Sequence, residues 1–200
     1  MKDTGTRLIY VFDFDGTLTK RDSFILFAKH ALGLKRLILG LLKSSPWLAG
    51  WKLGISCNST AKERLFRYLY KGMPLSVFEE AAKSFIGVLN DNVGKAIEPF
   101  ISAIEKNATV YILSASIENW IIPWAQAHGI PREKVISTKM AVDSSGRITG
   151  SFSSPNCHGK EKIRRFLEIE PARATYYLIA YADSKSDIPF LALADEPHLI

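Results

Sequence analysis

Apolar positions along the chain fall into two rhythms. Leu8-Ile9-Tyr10-Val11-Phe12, Thr109-Val110-Tyr111-Ile112-Leu113 and Thr175-Tyr176-Tyr177-Leu178-Ile179-Ala180 are short β-branched and aromatic runs, each ending at polar residues. Such runs predict strands buried on both faces. Helical spacing occupies Glu98 to Lys106, Glu118 to His128 with a stop at Gly129, and Lys160 to Glu168. Strands alternating with helices predict an α/β fold, a parallel sheet with helices on both faces and a ligand site beyond the strand carboxyl ends. That rule gathers Asp13, Ser114 and Asp183.

Residues 20–92 break the alternation. They read as helical throughout, with capping boxes at Thr60-x-x-Glu63 and Ser76-x-x-Glu79 and a stop at Gly72. The expectation is a helical cap inserted after the first strand, with 1–19 and 93–200 forming the core domain. Residues 134–153 look extended, with a hairpin turn at Asp143-Ser144-Ser145-Gly146.

A chain of 200 residues, 47% hydrophobic and 23% charged, can bury a real core, which excludes disorder and collagen-like or disulfide-rich architectures. Cys57 and Cys157 show no ligand spacing and are expected to be reduced packing residues. The first strand begins without an apolar leader, so the cytoplasmic side is expected, with the inner face of the membrane left open. The net charge of +6 is concentrated rather than spread: residues 20–52 hold Lys20, Arg21, Lys29, Lys35, Arg36, Lys43 and Lys52 against Asp22 alone, and the remainder sums to zero. The same segment carries Leu37, Ile38, Leu39, Leu41, Leu42, Trp47 and Trp51. It reads either as a cap with a solvated basic face or as an element facing something anionic. Its lysines interrupt every window long enough to span a bilayer, and Pro46 and Gly50 are expected to break the helix.

Candidate chemistry centres on Asp13-Phe14-Asp15-Gly16-Thr17-Leu18-Thr19. Two carboxylates two residues apart at a strand end can converge on one cation, whose charge offsets their repulsion. Gly16 permits the tight turn between strand and cap.

With Ser114, a helix-borne lysine and Asp183-Ser184-x-x-Asp187 following in order, the chain resembles the haloacid dehalogenase superfamily of phosphatases over essentially its whole length. The similarity is to the phosphoserine-phosphatase-like branch, with a Rossmann-like core and a helical cap. The resemblance implies Asp13 as the nucleophile forming an aspartyl-phosphate and Asp15 as general acid and then general base. It implies Mg²⁺ held by the Asp13 and Asp183 carboxylates and the Asp15 carbonyl, an all-oxygen set. Ser114, the Ala115 N–H and Thr17 would hold phosphate, together with a lysine that neutralises developing charge. In Cys157-His158-Gly159-Lys160-Glu161-Lys162 two lysines fit: Lys162 by the Cys-x-Gly-x-x-Lys pattern, which is preferred, and Lys160 by the spacing of phosphoserine phosphatases. Asp187 is expected to orient the site through Lys162. Ser184, Lys185 and His158 are candidates for ligand contact. Ala182 stands where the family usually has glycine, which is tolerable if φ stays negative.

The expected substrate is a small phosphorylated metabolite. An alternative is a lipid phosphomonoester, because Asp183-Ser184-Lys185-x-Asp187-x-Pro189 is similar to haloacid-dehalogenase-type phosphatidylglycerophosphatases. A non-catalytic binding protein on this scaffold would not need Asp13, Asp15, Ser114, Lys162 and Asp183 together. No nucleic-acid partner is expected, since the basic segment is apolar rather than an arginine stripe.

Overall fold

The computed structural model describes residues 6–52 and 58–200, so Cys57 and the first five residues lie outside the description, as does the side chain of Trp51. In chain order the elements are β1 (Arg7–Asp13), α1 (Ser23–Lys52), α2 (Asn58–Tyr70), α3 (Leu75–Ser84), α4 (Ile86–Asn90), α5 (Ile97–Glu105), β2 (Thr109–Ile117) and α6 (Glu118–Ala127). Then follow β3 (Val135–Thr138), β4 (Met140–Val142), β5 (Ile148–Phe152), α7 (Lys160–Ile169), β6 (Tyr176–Ala182), α8 (Ile188–Leu191) and β7 (Glu196–Leu199).

The main sheet has five strands in the order β3-β2-β1-β6-β7, and every pair is parallel. Alternate residues of the strands feed two cores. Ile9, Val11, Tyr111, Leu113, Leu178 and Ala180 pack with Phe166 of α7 and Phe190 of α8. On the other face Phe12, Val110 and Ile112 join Phe100 of α5 and Trp120 and Trp124 of α6. Burial on both faces explains why the strands read as continuous apolar runs, each large side chain stabilising the fold by about 1.5–3 kcal/mol.

The helical segment is joined to this scaffold by aromatic packing. Phe27 of α1 stacks on Trp120 at 4.7 Å and lies 4.8 Å from Phe78 and 5.2 Å from Phe85. Thr19 and Val93 pair as an antiparallel bridge, so the chain leaves and re-enters the core side by side. The β4–β5 hairpin is antiparallel and clasps α2 and its end: Gly72 N–H donates to Ile148 O at 2.8 Å, and Ile148 N–H to Met73 O at 2.9 Å.

Two sequence expectations are corrected, at the helix starts and at Pro46, and two details are added to the sheets. The capping positions shift: Thr60 lies inside α2, which begins at Asn58, and α3 has Pro74 at its N-cap without a side-chain cap, the hairpin's Gly146 carbonyl accepting from Leu75 N–H. The α1 helix runs through Pro46; the residue is exposed, so water can serve the carbonyl it leaves without a donor, and the break falls instead at Gly33 (φ 78°, ψ 163°). The extended stretch from residue 134 divides, Val135–Thr138 joining the main sheet and only the later part forming the hairpin. The edge strand β7, Glu196-Pro197-His198-Leu199, has too polar a pattern to announce itself.

Candidate active site

Register sets the site. Asp13 ends β1 opposite Leu113 of β2, and Phe12 lies opposite Tyr181 of β6, so Ser114 and Asp183 arrive at the same sheet edge as Asp13. The chain then turns back. Phe14 O accepts from Leu18 N–H and Thr19 N–H, both at 2.9 Å, and Gly16 adopts φ +80°. A Cβ on Gly16 would meet Asp183 Oδ2 at 1.9 Å, so the carboxylate occupies the space a side chain would fill.

These groups open into a cavity of about 370 Å³ between the strand ends and helices α1 and α2. Asp13, Asp15, Asp183, Ser184, Asp187, Lys162 and the Ala115 residue line it. A larger surface hollow of about 650 Å³ lies beside β3, Arg132 and Arg164, but it holds none of the strand-end acids and is not the candidate site.

The centre is a buried charge cluster. Lys162 Nζ lies 2.7 Å from Asp13 Oδ1 and 2.8 Å from Asp187 Oδ1, and the three residues are 3%, 8% and 2% exposed. Burial alone would lower the Lys162 pKa, but the two carboxylates outweigh it and hold the lysine above its ordinary range. Asp13 is pushed up to about 7 by burial, against the pull of Lys162 and with Asp187 adding to the rise. Carboxylate oxygens of Asp13, Asp183 and Asp187 all lie within 4.8 Å of one another.

Asp15 is held separately. Its Oδ1 accepts from Ser23 N–H at 2.7 Å and its Oδ2 from Ser116 Oγ at 2.5 Å. Ser23 is in turn fixed by Trp120 Nε1–H at 3.0 Å. Both donors were missed in the sequence, where a serine in a helix start or after a strand carries no distinguishing mark.

Lys62 was also missed. It reaches down from α2 to donate to Ala115 O at 2.6 Å; burial lowers its pKa, with the Asp15 and Asp22 charges pulling it back up. Inside a helix it looks like any solvated lysine, and only the fold turns it inward.

The remaining expected residues separate. Lys162 rather than Lys160 enters the site: Lys160 is exposed and absent from the cavity wall. Two residues of spacing, just over half a helical turn, decide this, since α7 begins at Lys160 and presents position 162 inward. Ser114 is buried and does not line the cavity, which its neighbour Ala115 does; its Oγ accepts from Ser116 N–H, and β2 continues past it to Ile117 through an irregular register. Thr17 is fully buried beneath the turn, its carbonyl accepting from Ala96 N–H, and does not face the cavity.

Ser184 caps the short turn before Asp187 by accepting from Ser186 N–H. Lys185 is exposed and stands outside the wall, whereas His158 lines it, its pKa lowered chiefly by burial. Ala182 is buried, and among the described residues Asn107 is the only non-glycine with positive φ, so the alanine fits without strain. Cys157 is free and buried, its thiol pushed up to about 11 by burial, as a packing residue.

A parallel sheet carrying converging carboxylates at its strand ends, with helices folded over them, is the architecture of a hydrolase of the haloacid dehalogenase type. The family model described as haloacid dehalogenase-like hydrolase matches residues 10–192, and the chain belongs to that family. Protein CicA of Caulobacter vibrioides (strain NA1000 / CB15N) is 31% identical over 193 residues, covering 94% of this chain and 84% of that protein. Among solved structures, a protein of unknown function from Bordetella pertussis Tohama I matches with a TM-score of 0.73 at 18% identity, over 94% of this chain and 86% of the other. A phospho-aspartyl intermediate analogue of phosphoserine phosphatase matches with a TM-score of 0.61 at 17% identity, over 94% and 84%. At these identities the structural matches establish the shared fold.

Proposed function

We propose that the chain is a phosphomonoesterase that works through an aspartyl-phosphate on Asp13. The observation that carries this is Asp13 at the end of the central strand, buried against Lys162, with Asp15 facing the same cavity two residues on. An Asp13 oxygen attacks phosphorus, the bond from phosphorus to the leaving oxygen breaks, and Asp15 gives that oxygen its proton. Water then attacks the same phosphorus, Asp15 takes the proton, and Asp13 is regenerated as inorganic phosphate leaves. Lys162 and the Ala115 N–H hold the phosphoryl oxygens, and Ser114, buried behind Ala115, steadies that turn by accepting from Ser116 N–H. Asp187 fixes Lys162, while Lys160 and Thr17 take no part.

The donor set suits a hard divalent cation. Its ligand atoms are all oxygen, carboxylate oxygens of Asp13 and Asp183 come within 4.8 Å of each other, and Gly16 leaves room for the Asp183 carboxylate. Asp13, Asp183 and the Asp15 carbonyl would hold it. Bound there, Mg²⁺ would supply the positive charge that keeps Asp13 ionised and that balances the phosphoryl group.

The substrate follows from the wall opposite the acids. A small phosphorylated metabolite fits the cavity's size and the presence of Lys62. A lipid phosphate is the second reading, favoured by one observation: the helical side of the cavity is built from Phe24, Ile25, Leu41, Ala61 and Leu65. Magnesium-dependent phosphate release, screened across phosphorylated metabolites and lipid phosphates in detergent, tests both. Release by the wild type but not by Asp13→Asn supports the phosphatase reading, and equal release by both overturns it.

A further inference from the structure

We propose that the outward face of α1 beyond Gly33 binds the surface of an anionic lipid bilayer. After the break at Gly33, Leu34, Ile38 and Leu42 recur every fourth residue and are 55%, 46% and 63% exposed, with Leu39 beside them at 52%. A helix facing water would carry polar residues there. The face cannot turn inward, because the other side of the helix is already committed. Leu37 and Ser44 are buried, and a Cβ on Gly40 would come within 2.7 Å of Leu69 and 3.1 Å of Tyr68, so α1 lies tight on α2.

Charge selects the occupant. No acidic residue occurs between Asp22 and Glu63, and the exposed Lys35 and Lys43 flank the apolar stripe. A second copy of the chain placed across the stripe would set these lysines against one another, whereas an anionic lipid surface would attract them and accept the leucines. No helix among the described residues is long and apolar enough to cross a membrane, so the contact is with the surface. Leu41, on the flank of the same stretch, lines the catalytic cavity and places that wall next to the docked face. This inference does not rest on the phosphatase reading.

The test is co-sedimentation of the full chain with vesicles of phosphatidylcholine, alone or mixed with phosphatidylglycerol. The wild type should bind only the mixed vesicles and lose binding as salt rises. Ile38→Glu/Leu42→Glu and, independently, Lys35→Glu/Lys43→Glu should each weaken partitioning by about tenfold or more. Both should keep the wild-type circular dichroism spectrum and the wild-type rate on p-nitrophenyl phosphate. Failure of the wild type to bind, or unchanged binding by either folded variant, would overturn the proposal. So would wild-type self-association that both variants abolish without any effect on vesicles. A wild type that binds vesicles but hydrolyses nothing would sink the phosphatase reading and leave this one standing.

Discussion

Lys162→Met isolates the buried charge cluster. In the wild type one ammonium sits 2.7 Å from Asp13 and 2.8 Å from Asp187, with all three residues nearly sealed from water. Methionine keeps the length and packing of the side chain but removes the charge, so two carboxylates face each other uncompensated. Breaking a buried ion pair from one side costs about 3–5 kcal/mol. In a chain of this length each kcal/mol moves the melting temperature by about 2–4 °C, giving an expected drop of about 6–20 °C. Thermal unfolding by circular dichroism in EDTA at neutral pH reads it directly. Adding Asp187→Asn should restore part of the loss, because one of the opposed charges disappears with it, so the double variant melts above Lys162→Met. A Lys162→Met protein melting within about 2 °C of wild type, or a double variant that melts lower still, would refute the reasoning.

Gly16→Ala should lower kcat/KM by about a hundredfold, since its methyl collides with Asp183 at a φ of +80° and a displacement near 1 Å misplaces the site; steady-state rates at saturating magnesium would show it, and near-wild-type turnover would contradict it. Phe27→Ala should destabilise the fold by about 3–5 kcal/mol, because four aromatic neighbours, Tyr70 of α2, Phe78 of α3, Phe85 between α3 and α4, and Trp120 of α6, lose their partner; urea unfolding measures this. Burial pulls Glu170 up, but hydrogen bonds from Tyr111 and Arg7 prevail and hold it below its ordinary value. It therefore contributes stability that is complete above the unfolded value near 4.5 and is lost as pH falls through the folded one. Glu170→Gln should melt lower at pH 7 and show a flatter decline between neutral and acid pH, and a decline as steep as that of the wild type would count against it.

Most of the architecture was legible because burial on both faces writes itself into sequence. Runs such as Leu8–Phe12 can be little else than central strands, and a parallel sheet then puts their carboxyl ends together. Asp13, Asp15 and Asp183 were visible for that reason. What stayed hidden depends on contacts far apart in the chain. Lys62 becomes a cavity group only because α2 folds over Ala115, and Ser23 and Ser116 become donors to Asp15 only through the same closure. The start of α3 was misread at Ser76 because a tertiary partner replaced the side-chain cap: the hairpin carbonyl of Gly146 accepts from Leu75 N–H, while Glu63 of α2 accepts from Phe152 N–H of the same hairpin. Pro46 misled in the opposite sense, since a proline on an exposed helix face removes a hydrogen bond that water can replace.

The most direct examination of the central claim is chemical trapping on Asp13. The protein is mixed with p-nitrophenyl phosphate and magnesium, quenched during turnover and reduced with borohydride, which converts an aspartyl-phosphate to homoserine. Peptide mass spectrometry should find homoserine at position 13 in the wild type, and none in Asp13→Asn. Sustained turnover with an unmodified Asp13, or with the adduct on another residue, would contradict the account.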